Sequence, residues 1–163
     1  MAREAYVGID VAKLRNAVAI ADGGREGEIR YMGEFDASPE SMKRLISRLA
    51  AKYEHQQICY EAGPTGYGLH RLITSLGHSC TVVAPSLIPR KASDRVKTNR
   101  RDATALARLL RAGELTAVWV PDPAHEAMRN LIRSRTVTVA TIRAAQAAGG
   151  RLSSASQQDL SAS

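Results

Sequence analysis

Apolar positions fall in five short runs, separated by turn residues and by two stretches with helical spacing. Residues 5–11 and 16–21 read as strands on either side of the polar break Lys13-Leu14-Arg15. Asp22-Gly23-Gly24 is a turn signal, and a third strand follows at 28–36, so the three predict an antiparallel meander. Ser38-Pro39-Glu40 reads as a helix start, with Ser as cap, Pro in the first turn and an acid near the positive end of the dipole. Met42, Leu45, Ile46 and Leu49 then share one face of a helix reaching to Tyr53. A fourth strand is expected at 57–61 and a helix at 66–76, with Leu69, Leu72, Ile73 and Leu76 inward and Gly77 as its stop. A fifth strand follows at 79–84, then a short helical turn between Pro85 and Pro89. A helix at 100–112 ends at Gly113, and Val118-Trp119-Val120 is a short extended piece. Residues 123–147 are helical in pattern, with Met128, Leu131, Ile132, Val139 and Ile142 as a weak apolar stripe. Gly149 to Ser163 is low in complexity and expected to carry no order.

The order β-β-β-α-β-α-β-α predicts an α/β fold on a mixed five-stranded sheet. Right-handed crossovers place the fourth strand beside and parallel to the first, which gives the strand order 3-2-1-4-5. That is the ribonuclease-H-like arrangement, with flanking helices and a C-terminal helical extension. Strand order reverses between the first and fourth strands, so a crevice is expected at their carboxyl ends. Asp10 and Glu61 stand at those two ends. The expected division is a domain over residues 1–120, a helical extension over 121–148 and a tail over 149–163.

Composition changes this picture in one respect. The chain has 163 residues, of which 44% are hydrophobic and only 4% aromatic, so the core must be built from Ala, Val, Ile and Leu. Its formal net charge of +7 favours an anionic partner, nucleic acid first. Cys59 and Cys80 both lie in expected strands without metal-ligand spacing and read as buried free thiols of a reducing compartment. No signal peptide and no apolar segment of membrane-spanning length is visible, so a cytoplasmic protein is expected.

Carboxylates at strand ends suit a divalent metal better than a core. Mg2+ takes oxygen ligands in octahedral geometry and keeps waters or phosphates as the remainder. A pair of such ions can clamp the attacking and leaving oxygens of a phosphoryl displacement. Asp10 and Glu61 are the expected centre of such a site. Asp102 is brought over the strand ends by the helix on which Asn99, Asp102, Leu106 and Leu109 share a side. Each acid taken singly also fits a plainer role: a turn residue, a solvated strand end, and a first-turn acid stabilised by the helix dipole. Gly63-Pro64-Thr65-Gly66-Tyr67 reads either as a strand-to-helix turn or as a place where phosphate approaches the backbone, and it lacks the Lys-Ser/Thr of a P-loop. Arg90, Lys91, Arg95, Lys97, Arg100 and Arg101 form a basic stretch, read as phosphate contacts that hold a polyanion without reading its sequence. His70, His78 and His125 lack ligand spacing, and Ser153, Ser154 and Ser156 lack the partners of a nucleophile.

Three blocks carry a resemblance to a known family: Tyr-Val-Gly-Ile-Asp-Val-Ala-Lys, Tyr-Glu-Ala-Gly-Pro-Thr-Gly-Tyr, and Val-Lys-Thr-Asn-Arg-Arg-Asp-Ala-Thr-Ala-Leu-Ala-Arg-Leu-Leu. They resemble the N-terminal domain of IS110-type transposases, the DEDD recombinases, over residues 5–135. The resemblance implies a RuvC-like domain that binds Mg2+ and works in DNA recombination, guided by a structured RNA of the element. It assigns Asp10 as the first acid, Glu61 as the second and Asp102 as the fourth, all three catalytic and metal-binding. The third acid falls at Asn99, which is expected to stay in the metal site through its carbonyl oxygen but brings no charge, so the site is weakened. The family's C-terminal domain, which looks like the home of its nucleophilic serine, is not matched in this chain, and a truncated element, impaired as an enzyme, is the expectation. The competing expectation is a stand-alone, Mg2+-dependent nuclease of the Holliday-junction-resolvase type. A sugar-kinase or actin-like ATPase is disfavoured because Val11-Ala12-Lys13 supplies no small phosphate-binding residues after Asp10. DNA is the expected partner, with self-association through the C-terminal helix and no membrane. Asn99→Asp is expected to tighten Mg2+ binding, and equal affinities by calorimetry would overturn that.

Overall fold

The computed structural model describes residues 3–24, 26–63, 65–89 and 98–159, with side chains as far as residue 148. The chain forms two units, Met1–Val120 and Pro121–Ser163. In the first, β1 (Glu4–Asp10), β2 (Arg15–Asp22) and β3 (Ile29–Asp36) precede α1 (Pro39–Ala50). Then come β4 (His55–Glu61), α2 (Gly68–Ser75), β5 (Ser79–Val83), a 3-10 turn at Pro85–Leu87 and α3 (Asn99–Ala112). The sheet has five strands in the order β3-β2-β1-β4-β5. β1 pairs antiparallel with β2 and parallel with β4, β2 antiparallel with β3, and β4 parallel with β5. This is the expected topology, and every strand begins and ends within two residues of its expected place.

The pleat sends alternate residues to opposite faces. Val7, Ile9, Val18, Ile20, Ile58, Tyr60 and Val82 point to the face covered by α1 and α2. There Met42, Leu45, Ile46 and Leu49 of α1 and Ile73 of α2 complete the main core. α1 ends at Ala50, short of Tyr53, which leaves the helix to join that core. α2 begins at Gly68, two residues later than expected, because Gly66 takes a left-handed conformation in the turn before it.

The other face belongs to α3 and is built from small residues. Ala17, Ala19 and Ala21 of β2 meet Ala103 and Ala107 of α3, while Cys59 meets Leu106 and Leu110. Gly8 sets the spacing. A Cβ there would lie 2.4 Å from the Ala103 carbonyl oxygen, 2.4 Å from the Ala107 nitrogen and 2.9 Å from the Leu106 Cβ. The helix backbone therefore rests directly on β1. Thr98 caps α3 by accepting from the Arg101 N–H, and Gly113, left-handed at φ 70°, ends it. At the far edge of the sheet Val118 donates its N–H to the Val82 carbonyl at 2.8 Å, and Ala117 bridges Val83.

A polar knot ties the other end of the sheet. Arg30 grips both oxygens of Asp22 at 2.8 and 2.9 Å, and the Tyr53 hydroxyl donates to Asp22 at 2.6 Å. Arg111 of α3 donates to the carbonyls of Asp22 and Gly27. Both helix layers thus meet the β2–β3 hairpin here. Burial raises the Asp22 carboxyl, but hydrogen bonds from Arg30 and Tyr53, with the nearby charges of Arg30 and Arg3, outweigh it and hold the group below its ordinary value of 3.8.

In the second unit, α4 runs from Pro123 to Asp159. Asp122 starts it, accepting the His125 N–H at 2.8 Å and facing the His125 ring at 2.7 Å. A structureless stretch was expected from Gly149, yet the helix continues through Gly149-Gly150 to Asp159. Once a helix is nucleated, each further residue adds a hydrogen bond, and the Ala, Gln and Ser of this segment are adequate helix formers.

Two outcomes follow from these packing contacts. Gly8→Ala should lower unfolding free energy by about 1–3 kcal/mol, read from urea denaturation, because the added methyl must push α3 off the sheet. The Asp22 contribution is fully present above the ordinary carboxyl value of 3.8 and is lost as pH falls through the depressed folded value. Urea midpoints should therefore drop on acidification in that range, and Asp22→Asn should flatten that limb of the profile.

Candidate acidic site on the α3 face

The last paired residues of β1 and β4 are Ile9 and Tyr60, and Asp10 and Glu61 come next on each strand. By alternation both stand on the α3 face, in step with Gly8 and Cys59. Their backbones are one strand spacing apart, about 4.8 Å. Both are half-buried. The loop leaving Asp10 is fixed from beneath. Asn16, only 2% exposed, accepts the Ala12 N–H on its Oδ1 at 3.1 Å and turns its amide to the Met42 sulfur at 3.4 Å. A buried Asn in an otherwise apolar β2 row, with Val18 and Ile20, is thereby accounted for.

α3 brings Asp102 to the same face. Asp102 precedes Ala103, whose carbonyl oxygen sits against Gly8, two residues before Asp10. Asn99, one turn earlier and exposed, donates from Nδ2 to Oε1 of Glu34 at 3.2 Å. Glu34 pairs with Ala17, which pairs with Asp10, so the three form one row across β3, β2 and β1 on the α3 face. Sequence reasoning missed Glu34. The signal was hidden by an irregularity in β3: Gly33 pairs with Val18 but Tyr31 with Ala19, which leaves Met32 as an extra residue. Arg100 lies over the Tyr31 ring at 5.5 Å.

Asp10, Glu61 and Asp102 thus lie on one face at one end of the sheet. They do not form a finished coordination set: among the described residues no group of three or more His, Cys, Asp or Glu is placed to hold an ion. Asn99 is neutral and its Nδ2 donates to Glu34, which leaves the carbonyl oxygen as the atom it could offer a cation.

Of the basic stretch, Arg90, Lys91, Arg95 and Lys97 lie outside the described residues. Arg100 and Arg101 are exposed in the first turn of α3, next to Asp102. The turn after β4 is closed by the Gly66 N–H on the Gly63 carbonyl at 3.3 Å. Cys59 and Cys80 are free. Cys59 donates to the Leu106 carbonyl on the α3 face, whereas Cys80 pairs with Ile58 on the opposite face, so the sheet separates them. Burial pushes both thiols up, Cys80 to about 12. Both thiols are free, as expected, but only Cys59 is fully buried and Cys80 is half-buried. Among the described residues no helix is long and apolar enough to cross a membrane.

A sheet in this order, with one helix laid across β1 and acids at the carboxyl ends of β1 and β4, defines a ribonuclease-H-like domain. The transposase family model DEDD_Tnp_IS110 matches residues 7–148, and the chain belongs to the IS110-type DEDD transposase family. It is 70% identical over 141 residues to y4qE of Sinorhizobium fredii (strain NBRC 101917 / NGR234), a protein named as a candidate transposase. It is 38% identical over 136 residues to the transposase for insertion sequence element IS1533 of Leptospira borgpetersenii. These matches take in 86% and 83% of this chain but only 36% and 39% of the two relatives. Among solved structures, Thermus thermophilus RuvC overlays with a TM-score of 0.45 at 11% identity, covering 71% of this chain and 99% of RuvC. The same protein in complex with a Holliday junction substrate gives 0.44 at 11% identity, covering 72% of this chain and 100% of that one.

Proposed function

We propose that this chain is the acidic, nucleic-acid-binding domain of a DNA transposition system, with Asp10, Glu61 and Asp102 as its functional carboxylates. The observation that carries this is their shared position: two strand ends and one helix start deliver them to the same end of one sheet face, in a member of a transposase family. DNA is the partner that the net charge of +7 favours. Arg100 and Arg101 flank Asp102 in sequence and are exposed, which suits them to phosphate contacts. Arg90, Lys91, Arg95 and Lys97 belong to the same proposal on sequence grounds alone. The cation would be Mg2+, held weakly, because Asn99 contributes no charge and the three acids are not drawn together.

The chain spans 36% and 39% of the relatives it matches, so the complete recombination reaction is assigned to more than these residues. A structured guide RNA as second partner rests on the family resemblance. Self-association through α4 is supported by the exposure of Met128, Leu131, Ile132 and Ile142 along that helix. The cytoplasm is the compartment in which such a protein would meet DNA.

The test is cleavage of supercoiled and branched DNA by the purified chain, with Mg2+ or with EDTA, beside Asp10→Ala. Mg2+-dependent nicking by the unaltered protein, lost in Asp10→Ala, is the expected result. Nicking that is absent or equal in both proteins would remove Asp10 from any catalytic role. Strong preference for branched DNA would favour a resolvase-like nuclease over a transposition domain.

A further inference from the structure

The first turn of α3 is attached to β3 by two side chains in succession. Asn99 donates to Glu34 at 3.2 Å, and Arg100 covers Tyr31 at 5.5 Å. Both partners come from a strand more than sixty residues earlier in the chain, and both stand on the α3 face. Glu34 is in one row with Ala17 and Asp10, so this attachment joins the start of α3, which also carries Asp102, to the row that ends at Asp10.

The charge at position 99 decides whether that attachment can form unaided. The face already carries the carboxyl groups of Glu34, Asp10, Glu61 and Asp102. An amide at position 99 gives Glu34 a hydrogen-bond donor and adds no charge. A carboxylate there would face Glu34 at hydrogen-bonding distance, where two like charges cannot both ionise without cost. That cost is removed by a proton or by a cation shared between the two groups.

We infer that the Asn99–Glu34 hydrogen bond is a cation-independent latch, which docks the start of α3 on the sheet without any divalent metal. Glu34 is a positioning residue in this arrangement and acts through Asn99. A carboxylate at position 99 converts the latch into a two-carboxylate contact that closes only around a cation. The inference rests on the Asn99–Glu34 contact and is independent of the proposed function. It also places the added Mg2+ response of Asn99→Asp at Glu34 rather than at Asp10.

Thermal unfolding of the full chain, followed by circular dichroism in EDTA and in MgCl2 at neutral pH, tests it. The unaltered protein should gain less from MgCl2 than Asn99→Asp does, because its weak Mg2+ binding adds little and the latch itself needs no cation. Asn99→Asp should melt lower in EDTA, by about 2–4 °C for a chain of this size, and recover in MgCl2. If Asn99→Asp fails to fold in EDTA, folding on addition of MgCl2 is the same result. Combining it with Glu34→Gln should abolish the Mg2+ response, because the second carboxylate is gone. The latch is overturned if the unaltered protein gains as much from MgCl2 as Asn99→Asp does. It is equally overturned if the response of Asn99→Asp survives Glu34→Gln but disappears with Asp10→Asn.

Discussion

The backbone-to-backbone approach of α3 and β1 at Gly8 is the constraint on which the rest of the α3 face depends. Any Cβ at that position meets the Ala103 carbonyl and the Ala107 nitrogen at 2.4 Å. The small residues around it, Ala17, Ala19 and Ala21 on the sheet and Ala103 and Ala107 on the helix, follow from the same closeness. A glycine in a strand marks a place where another backbone can come close, and here the backbone of α3 does so. Leu106 and Leu110 of α3 and the partly buried Tyr6, Ile29 and Tyr31 add larger apolar contacts around this small-residue seam. The opposite face, with Met42, Leu45, Ile46, Tyr60 and Ile73, supplies the apolar core.

This division of labour explains what could be read in the sequence. Strands and helices that pack with large apolar residues announce themselves by period, and β1 to β5, α1 and α3 were legible for that reason. Strand order followed from crossover handedness once the elements were known. The Gly8 contact was not legible, because a glycine in a strand signals a close approach without naming what approaches. α4 was read too short because composition argued against order, while continuity of an existing helix argued for it.

The candidate site was legible in part, and the missing part has one cause. Asp10, Glu61 and Asp102 could be placed because they sit at element ends, where topology fixes location. Glu34 lies in mid-strand, where location depends on register, and register in β3 changes between Val18 and Ala19 of its partner. Simple alternation puts Tyr31 and Glu34 on opposite faces; the structure puts both beneath α3. Asn99 read as a ligand weakened by its lost charge, and in the structure its amide nitrogen is also a hydrogen-bond donor to Glu34.

The extra residue at Met32 thus has a consequence for how the gene tolerates change. Met32 is exposed and is the extra residue of the ladder, so substitution of its side chain should matter little. An in-frame loss of its single codon would set Tyr31 and Glu34 two residues apart, so that strict alternation alone would keep both beneath α3, beside Arg100 and Asn99. Straightening the strand with Met32 retained is the damaging change, because it swings one of the two away from α3. The segment is thus permissive to replacement and to loss of this one codon, a signature that a comparison of sequence variants would reveal as a length that varies by one residue here while Tyr31 and Glu34 keep their face.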